Sequence, residues 1–131
     1  MRIIVVSQPE PKLEGMRNAV KRISEVFAKE IVFVMGMMEA LELLDDGQQT
    51  LVVSGQIIGM RDRGTDLARL VKRANPNSLF FMYSICPETN ECVDGVIPVD
   101  KEHHALVARI LTSDLSNATR MSLKTAFPEI A

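Results

Sequence analysis

The sequence predicts an α/β fold: a doubly wound, five-stranded parallel sheet with helices on both faces, in three α/β/α layers. Two observations predict it. Short apolar runs of strand length alternate with stretches whose apolar residues recur every three or four positions. The runs are apolar throughout rather than at every second residue, which suits strands covered on both faces. Right-handed crossovers between such strands place helices on both sides of the sheet.

Ile3–Val6 is the first such run, broken by "SQPEP", whose prolines favour a turn into a helix. Leu13, Met16, Val20, Ile23 and Phe27 then form one apolar stripe at helical spacing, with Lys12, Arg17, Lys21 and Arg22 on the other side. Ile31–Val34 is a second strand. Met37, Met38, Leu41 and Leu44 mark a second helix stopped near Gly47. Leu51–Val53 is a third strand, and a polar loop with Gly55, Gly59 and Gly64 follows it. Thr65 is the expected N-cap of a third helix carrying Leu67, Leu70, Val71 and Ala74. Leu79–Tyr83 and Val96–Val99 are the fourth and fifth strands. Leu106, Val107, Ile110 and Leu111 lie on the last regular helix. The expected division is a domain over residues 1–114 and a C-terminal tail over 115–131, with room in "NATRMSLKTAF" for a short docked helix.

With 131 residues the chain is one domain with a sizeable core, and its apolar (47%) and charged (24%) fractions are ordinary for a soluble protein. A net charge of −2 implies no general attraction to nucleic acid. No Trp, one Tyr and five Phe make a base-stacking platform a poor fit. No apolar run approaches the ~20 residues that span a bilayer. Met1–Val6 is too short for a signal-peptide core, so the expected location is the cytoplasm, where Cys86 and Cys92 would be reduced thiols.

Three stretches resemble the receiver domain of two-component response regulators. "EALELLDDG" (Glu39–Gly47) looks like that family's second helix. "GTDLARLVKRANPNSLFFMYS" (Gly64–Ser84) looks like its third helix and fourth strand. "DGVIPVDKEHHALVARI" (Asp94–Ile110) matches its fifth strand and last helix without a gap. The resemblance covers roughly residues 1–113 and implies a flavodoxin-like (βα)5 fold. It departs from the pattern between Ser84 and Gly95, where only ten residues, "ICPETNECVD", stand in place of a whole helix. The fourth helix is therefore expected to be shortened or missing, and with it the surface that the family commonly uses to signal or dimerise.

The resemblance also implies a set of groups at the carboxyl ends of the strands, where such folds bind ligands. Receivers place an acidic pair after the first strand to help hold Mg²⁺; this chain has Ser7 and Gln8, with Glu10 the nearest carboxylate. They place a phosphate-accepting aspartate after the third strand; here stand Ser54, Gly55 and Gln56, with Asp62 further on in the loop. The hydroxyl after the fourth strand is matched by Ser84. The lysine after the fifth strand is replaced by Val99, with Lys101 two residues late. A hard cation wants oxygen ligands with a carboxylate among them. Phosphoryl transfer rests on positioning and charge stabilisation. Neither is expected here, and nothing near Ser54 in sequence looks like a base that would make it a nucleophile.

Other motifs read more plainly. "GMRDRGT" has P-loop glycine spacing but lacks the lysine before the Thr, so it reads as a loop and a helix start, with Arg61 and Arg63 as candidate anion contacts. Cys86, Cys92, His103 and His104 do not have zinc-site spacing, and adjacent helical histidines point about 100° apart. Met35, Met37 and Met38 cluster where the second strand meets its helix. Core filling is the default, whereas an exposed Met patch would point to a protein partner.

The sequence thus leads to a non-phosphorylated receiver-like regulatory domain, not an enzyme, with no cofactor and no metal. The residues of the degenerate site are Ser7, Gln8, Ser54, Gln56 and Ser84. Its expected contacts are with a protein partner, a homodimer being the second candidate assembly, and with neither nucleic acid nor membrane. The alternative is a small-molecule or nucleotide sensor that uses the pocket at the carboxyl ends of the strands, with Arg61, Arg63 and Ser84 as polar contacts.

Overall fold

A computed structural model describes residues 1–6, 14–27, 30–56, 58, 61–84, 88–97 and 104–130. Its elements run β1 (Arg2–Val6), α1 (Glu14–Phe27), β2 (Ile31–Val34), α2 (Met37–Leu44), β3 (Thr50–Ser54), α3 (Gly64–Ala74), β4 (Leu79–Tyr83), β5 (Gly95–Ile97), α4 (His104–Thr112) and α5 (Arg120–Ala126). The strands form one sheet in the order β2-β1-β3-β4-β5, and every pairing is parallel. The chain winds outward from β1 to β2, then crosses back to β3 and winds the other way. The carboxyl ends of β1 and β3 therefore flank the switch point, with Val6 in register with Ser54.

Alternation along each strand divides the core between the two faces. Ile3, Val5, Leu51, Val53, Phe81, Tyr83 and Ile97 meet α1 and α4 on one side. Ile4, Val6, Val52, Phe80, Met82 and Val96 meet α2 and α3 on the other. Every residue of β1, β3, β4 and β5 is buried, as the unbroken apolar runs require. Only edge strand β2 is half-covered over its first three residues.

Two details differ from the sequence-based boundaries, and the β4–β5 connection follows the expectation of a missing helix over its described residues. Strand β5 begins at Gly95, and Val99 lies outside the described residues. Helix α3 begins at Gly64, with Arg63, not Thr65, at the N-cap position and no side-chain cap. The reason is local: the Gly64 amide donates to the Gln56 carbonyl at 2.7 Å, so the helix starts two residues early. Gly64 is needed there, because a Cβ would lie 2.3 Å from the Gly55 carbonyl oxygen. Between β4 and β5, the described residues 88–94 contain a turn and no helix.

Beyond Asp114 the chain continues into the core. A reciprocal capping box of Thr119 and Ser122 starts α5. Leu115, Leu123, Phe127 and Ile130 are buried in the cluster formed by α1, α4 and the sheet. Arg109 fastens this segment from α4, pairing with Glu129 at 2.7 Å and lying 5.6 Å over the Phe127 ring. At the amino edge of the sheet, buried Arg2 holds Asp46 through two hydrogen bonds and also donates to Thr50 Oγ1. That guanidinium keeps the Asp46 carboxyl below its ordinary value of 3.8.

Candidate functional site

The carboxyl edge is built from strand ends that stop within one residue of each other. Ser54 closes β3 between Val6 and Met82 and is 1% exposed. Its hydroxyl donates to the neighbouring Gly55 carbonyl at 2.9 Å. That bond uses its proton locally, as short polar side chains at strand ends often do.

Gln56 is the deeper of the polar groups just past the strand, at 5% exposure. Its Nε2 donates to Glu88 Oε2 at 3.2 Å, so the loop after β3 is tied to the β4–β5 connection. Its Oε1 is buried and has no hydrogen-bond partner among the described residues. A second tie lies beside the first: Asn90 Nδ2 donates to the Thr65 carbonyl at 3.0 Å, while Asn90 Oδ1 accepts from the Cys92 amide. The segment that stands where a receiver has a helix is thus pinned, by two side chains, to the loop after β3 and the first turn of α3.

Of the remaining candidate residues, Ser84, Arg61, Arg63 and Asp62 are among the described ones. Ser84 follows β4 directly and is half-buried. Arg61 and Arg63 are exposed, and Arg63 Nη1 donates to the Asp62 carbonyl at 3.3 Å. Asp62 is half-buried, and its carbonyl also accepts from the Ile58 amide. Ser7, Gln8, Glu10, Cys86, Lys101 and His103 lie outside the described residues. Cys92 is a half-buried thiol without a disulfide. Among the described residues no three His, Cys, Asp or Glu side chains are grouped to hold a metal ion.

One constellation has no local signature in the sequence. Asp94, directly before β5, has a side chain only 5% exposed. Its Oδ2 accepts from Lys72 Nζ at 2.7 Å and from the Phe80 amide at 2.9 Å. Arg120 of α5 approaches its Oδ1 at 3.6 Å and donates to the Glu91 carbonyl. These groups border a polar cleft of about 550 Å³ at the amino edge of the sheet, opposite the candidate site. Lys72 and Arg120 are 22 and 26 positions from Asp94 in the chain, so no spacing rule links them.

The same fold occurs in solved receiver domains. The signal receiver domain of an HD domain-containing protein from Pseudomonas fluorescens Pf-5 superposes with a TM-score of 0.66 at 17% identity, covering 85% of each chain. A CheY-like response regulator receiver domain protein from Methanospirillum hungatei JF-1 gives 0.65 at 17% identity, over 83% of this chain and 89% of that one. A response regulator receiver protein from Sinorhizobium medicae WSM419 gives 0.56 at 16% identity, over 98% and 91%. No family model matches the sequence, and no curated protein matches it. The chain therefore has a receiver-like, flavodoxin-like α/β fold, and its chemistry has to be read from its own side chains.

Proposed function

We propose that this chain is a non-phosphorylated receiver-like regulatory domain that acts through protein–protein contacts in the cytoplasm. The observation that carries the reading is the end of β3, where Ser54, Gly55 and Gln56 offer no carboxylate. In-line attack on a phosphoryl donor needs a nucleophile beside a bound cation and a balancing positive charge. The buried Gln56 amide, bonded to Glu88, supplies neither a nucleophile nor a charge. No catalytic residue, metal or cofactor is assigned. A net charge of −2 supports a protein partner over nucleic acid or an anionic membrane, with self-association as the second assembly. Among the described residues no helix is long and apolar enough to cross a membrane.

One atom favours a second reading, a small-molecule or nucleotide sensor. Buried acceptors are nearly always paired, so Gln56 Oε1 is where a ligand N–H or O–H would be received. Ser84, Arg61 and Arg63 would then be its outer polar contacts. A thermal-shift panel separates the two. It would hold Mg²⁺ with beryllofluoride, common nucleotides and cyclic dinucleotides. A ligand at a hundredfold over its Kd adds about 2.7 kcal/mol to the native state. The account expects no shift with beryllofluoride. A beryllofluoride shift overturns the main reading, and a nucleotide shift replaces it with the sensor.

A further inference from the structure

The charge of this chain is segregated. Residues 30–60 hold Glu30, Glu39, Glu42, Asp45 and Asp46 and not one Lys, Arg or His, although the whole chain has 15 Lys and Arg against 17 Asp and Glu. Of these carboxylates Asp46 is paired with Arg2. Glu39, Glu42 and Asp45 are exposed on or just after α2. Beside them lies apolar surface: Met35, in the bend before the helix, is 52% exposed, and Met38, on the helix, is 70% exposed. Met37, Leu41 and Leu43 are half-buried and pack against the core on the α2 and α3 side of the sheet.

Helical spacing puts these groups together. Met38, Glu42 and Asp45 follow one another at steps of four and three, and Leu41 lies three residues after Met38. Glu39 reaches back to the Met35 amide at 3.5 Å. Helix α2 packs on β1 and against α3. Scattered exposed apolar residues are ordinary. Two adjoining methionines with a border of carboxylates are a different matter, because flexible thioethers mould to apolar side chains while the border selects positive charge.

We propose that the outer face of α2 and the bend leading into it, with Met38 and Met35 beside Glu39, Glu42 and Asp45, is a docking surface for a basic amphipathic helix of a partner protein. An apolar stripe at i, i+3, i+4 and i+7 would seat on the methionines, with Lys or Arg on either side of it meeting the carboxylates. The same carboxylates repel nucleic acid and anionic lipid. The proposal rests on the protein-contact part of the proposed function and is independent of the state of the carboxyl edge.

The test uses the full chain labelled with ¹³C at its methionine methyl groups. The probe is a synthetic amphipathic helix of about 18 residues built from Leu and Lys. Controls are a scrambled peptide of the same composition and a Leu/Glu counterpart. Beryllofluoride with Mg²⁺ is added separately, so that loss of the no-phosphate reading and loss of this one are distinguishable. The Met35 and Met38 methyl signals are expected to move saturably, while that of Met121, 80% exposed on α5, stays in place. The scrambled peptide is expected to bind about tenfold more weakly or worse, as are the E39Q/E42Q/D45N and M38Q variants. All four positions are exposed, and thermal unfolding checks that the fold is kept. Unmoved Met35 and Met38 signals, equal movement at Met121, or equal binding by the scrambled or acidic peptide would overturn the proposal.

Discussion

Gly64 is the residue on which the loop after β3 turns. Its amide is bound to the Gln56 carbonyl, and its missing side chain lets α3 begin against the Gly55 carbonyl oxygen. Gly64→Ala forces a Cβ onto backbone that cannot rotate away, so it should cost about 1–3 kcal/mol, read as a lower denaturant midpoint at constant m. Asp46 carries the clearest pH dependence. Its carboxyl sits below its ordinary value of 3.8, chiefly because of the hydrogen bond from Arg2. The ion pair therefore stabilises fully above that value, and the contribution is lost as pH falls below it toward the folded-state value. Asp46→Asn should lower stability at neutral pH and flatten the part of the acid limb that lies below the ordinary value of 3.8, followed by urea unfolding. An unchanged acid limb would mean that Arg2 and Asp46 are not coupled in solution. Neither residue was legible in advance as such: Gly64 stood out only as a loop glycine, and Arg2 and Asp46 are paired by topology, not by spacing.

At the scale of elements, the periodicity of the sequence was a good guide wherever one physical cause dominates. Leu79–Tyr83 is a strand over the residues its unbroken apolar run marks, because burial on both faces decides those positions, and Ile31–Val34 follows its run at the half-covered edge of the sheet. The stripe through Leu67, Leu70, Val71 and Ala74 likewise specifies α3. The helix start at Gly64 was less legible, since the hydrogen bond that its amide donates to Gln56, earlier in the same loop, outweighs the capping preference of Thr65. The segment after Asp114 was least legible, because its apolar residues are few and gain meaning only against the sheet. Leu123, Phe127 and Ile130 are nevertheless buried as deeply as the strands. Phe127→Ala should cost about 3–5 kcal/mol by the same midpoint measurement, with removal of Arg109's ring contact included. A cost under about 1 kcal/mol would show the segment to be only loosely attached in solution.

For the whole molecule, the sheet order and the solved receiver domains agree on the fold, while the end of β3 offers no carboxylate. The absence of an acidic residue at Ser54, Gly55 and Gln56 was visible from the sequence. The link from Gln56 to Glu88 was not, because it joins two loops 32 positions apart. That link gives the edge a neutral amide held by hydrogen bonding where phosphoryl chemistry needs charge. The acidic, methionine-bearing face of α2 belongs to this scale too, since it follows from how charge is distributed along the chain. The most direct test of the central claim is intact-mass analysis of the full chain after incubation with Mg²⁺ and an acyl phosphate donor. The account predicts no added phosphoryl group at any time point. A stoichiometric phosphoryl adduct, mapped to Asp62 or another carboxylate, would contradict it.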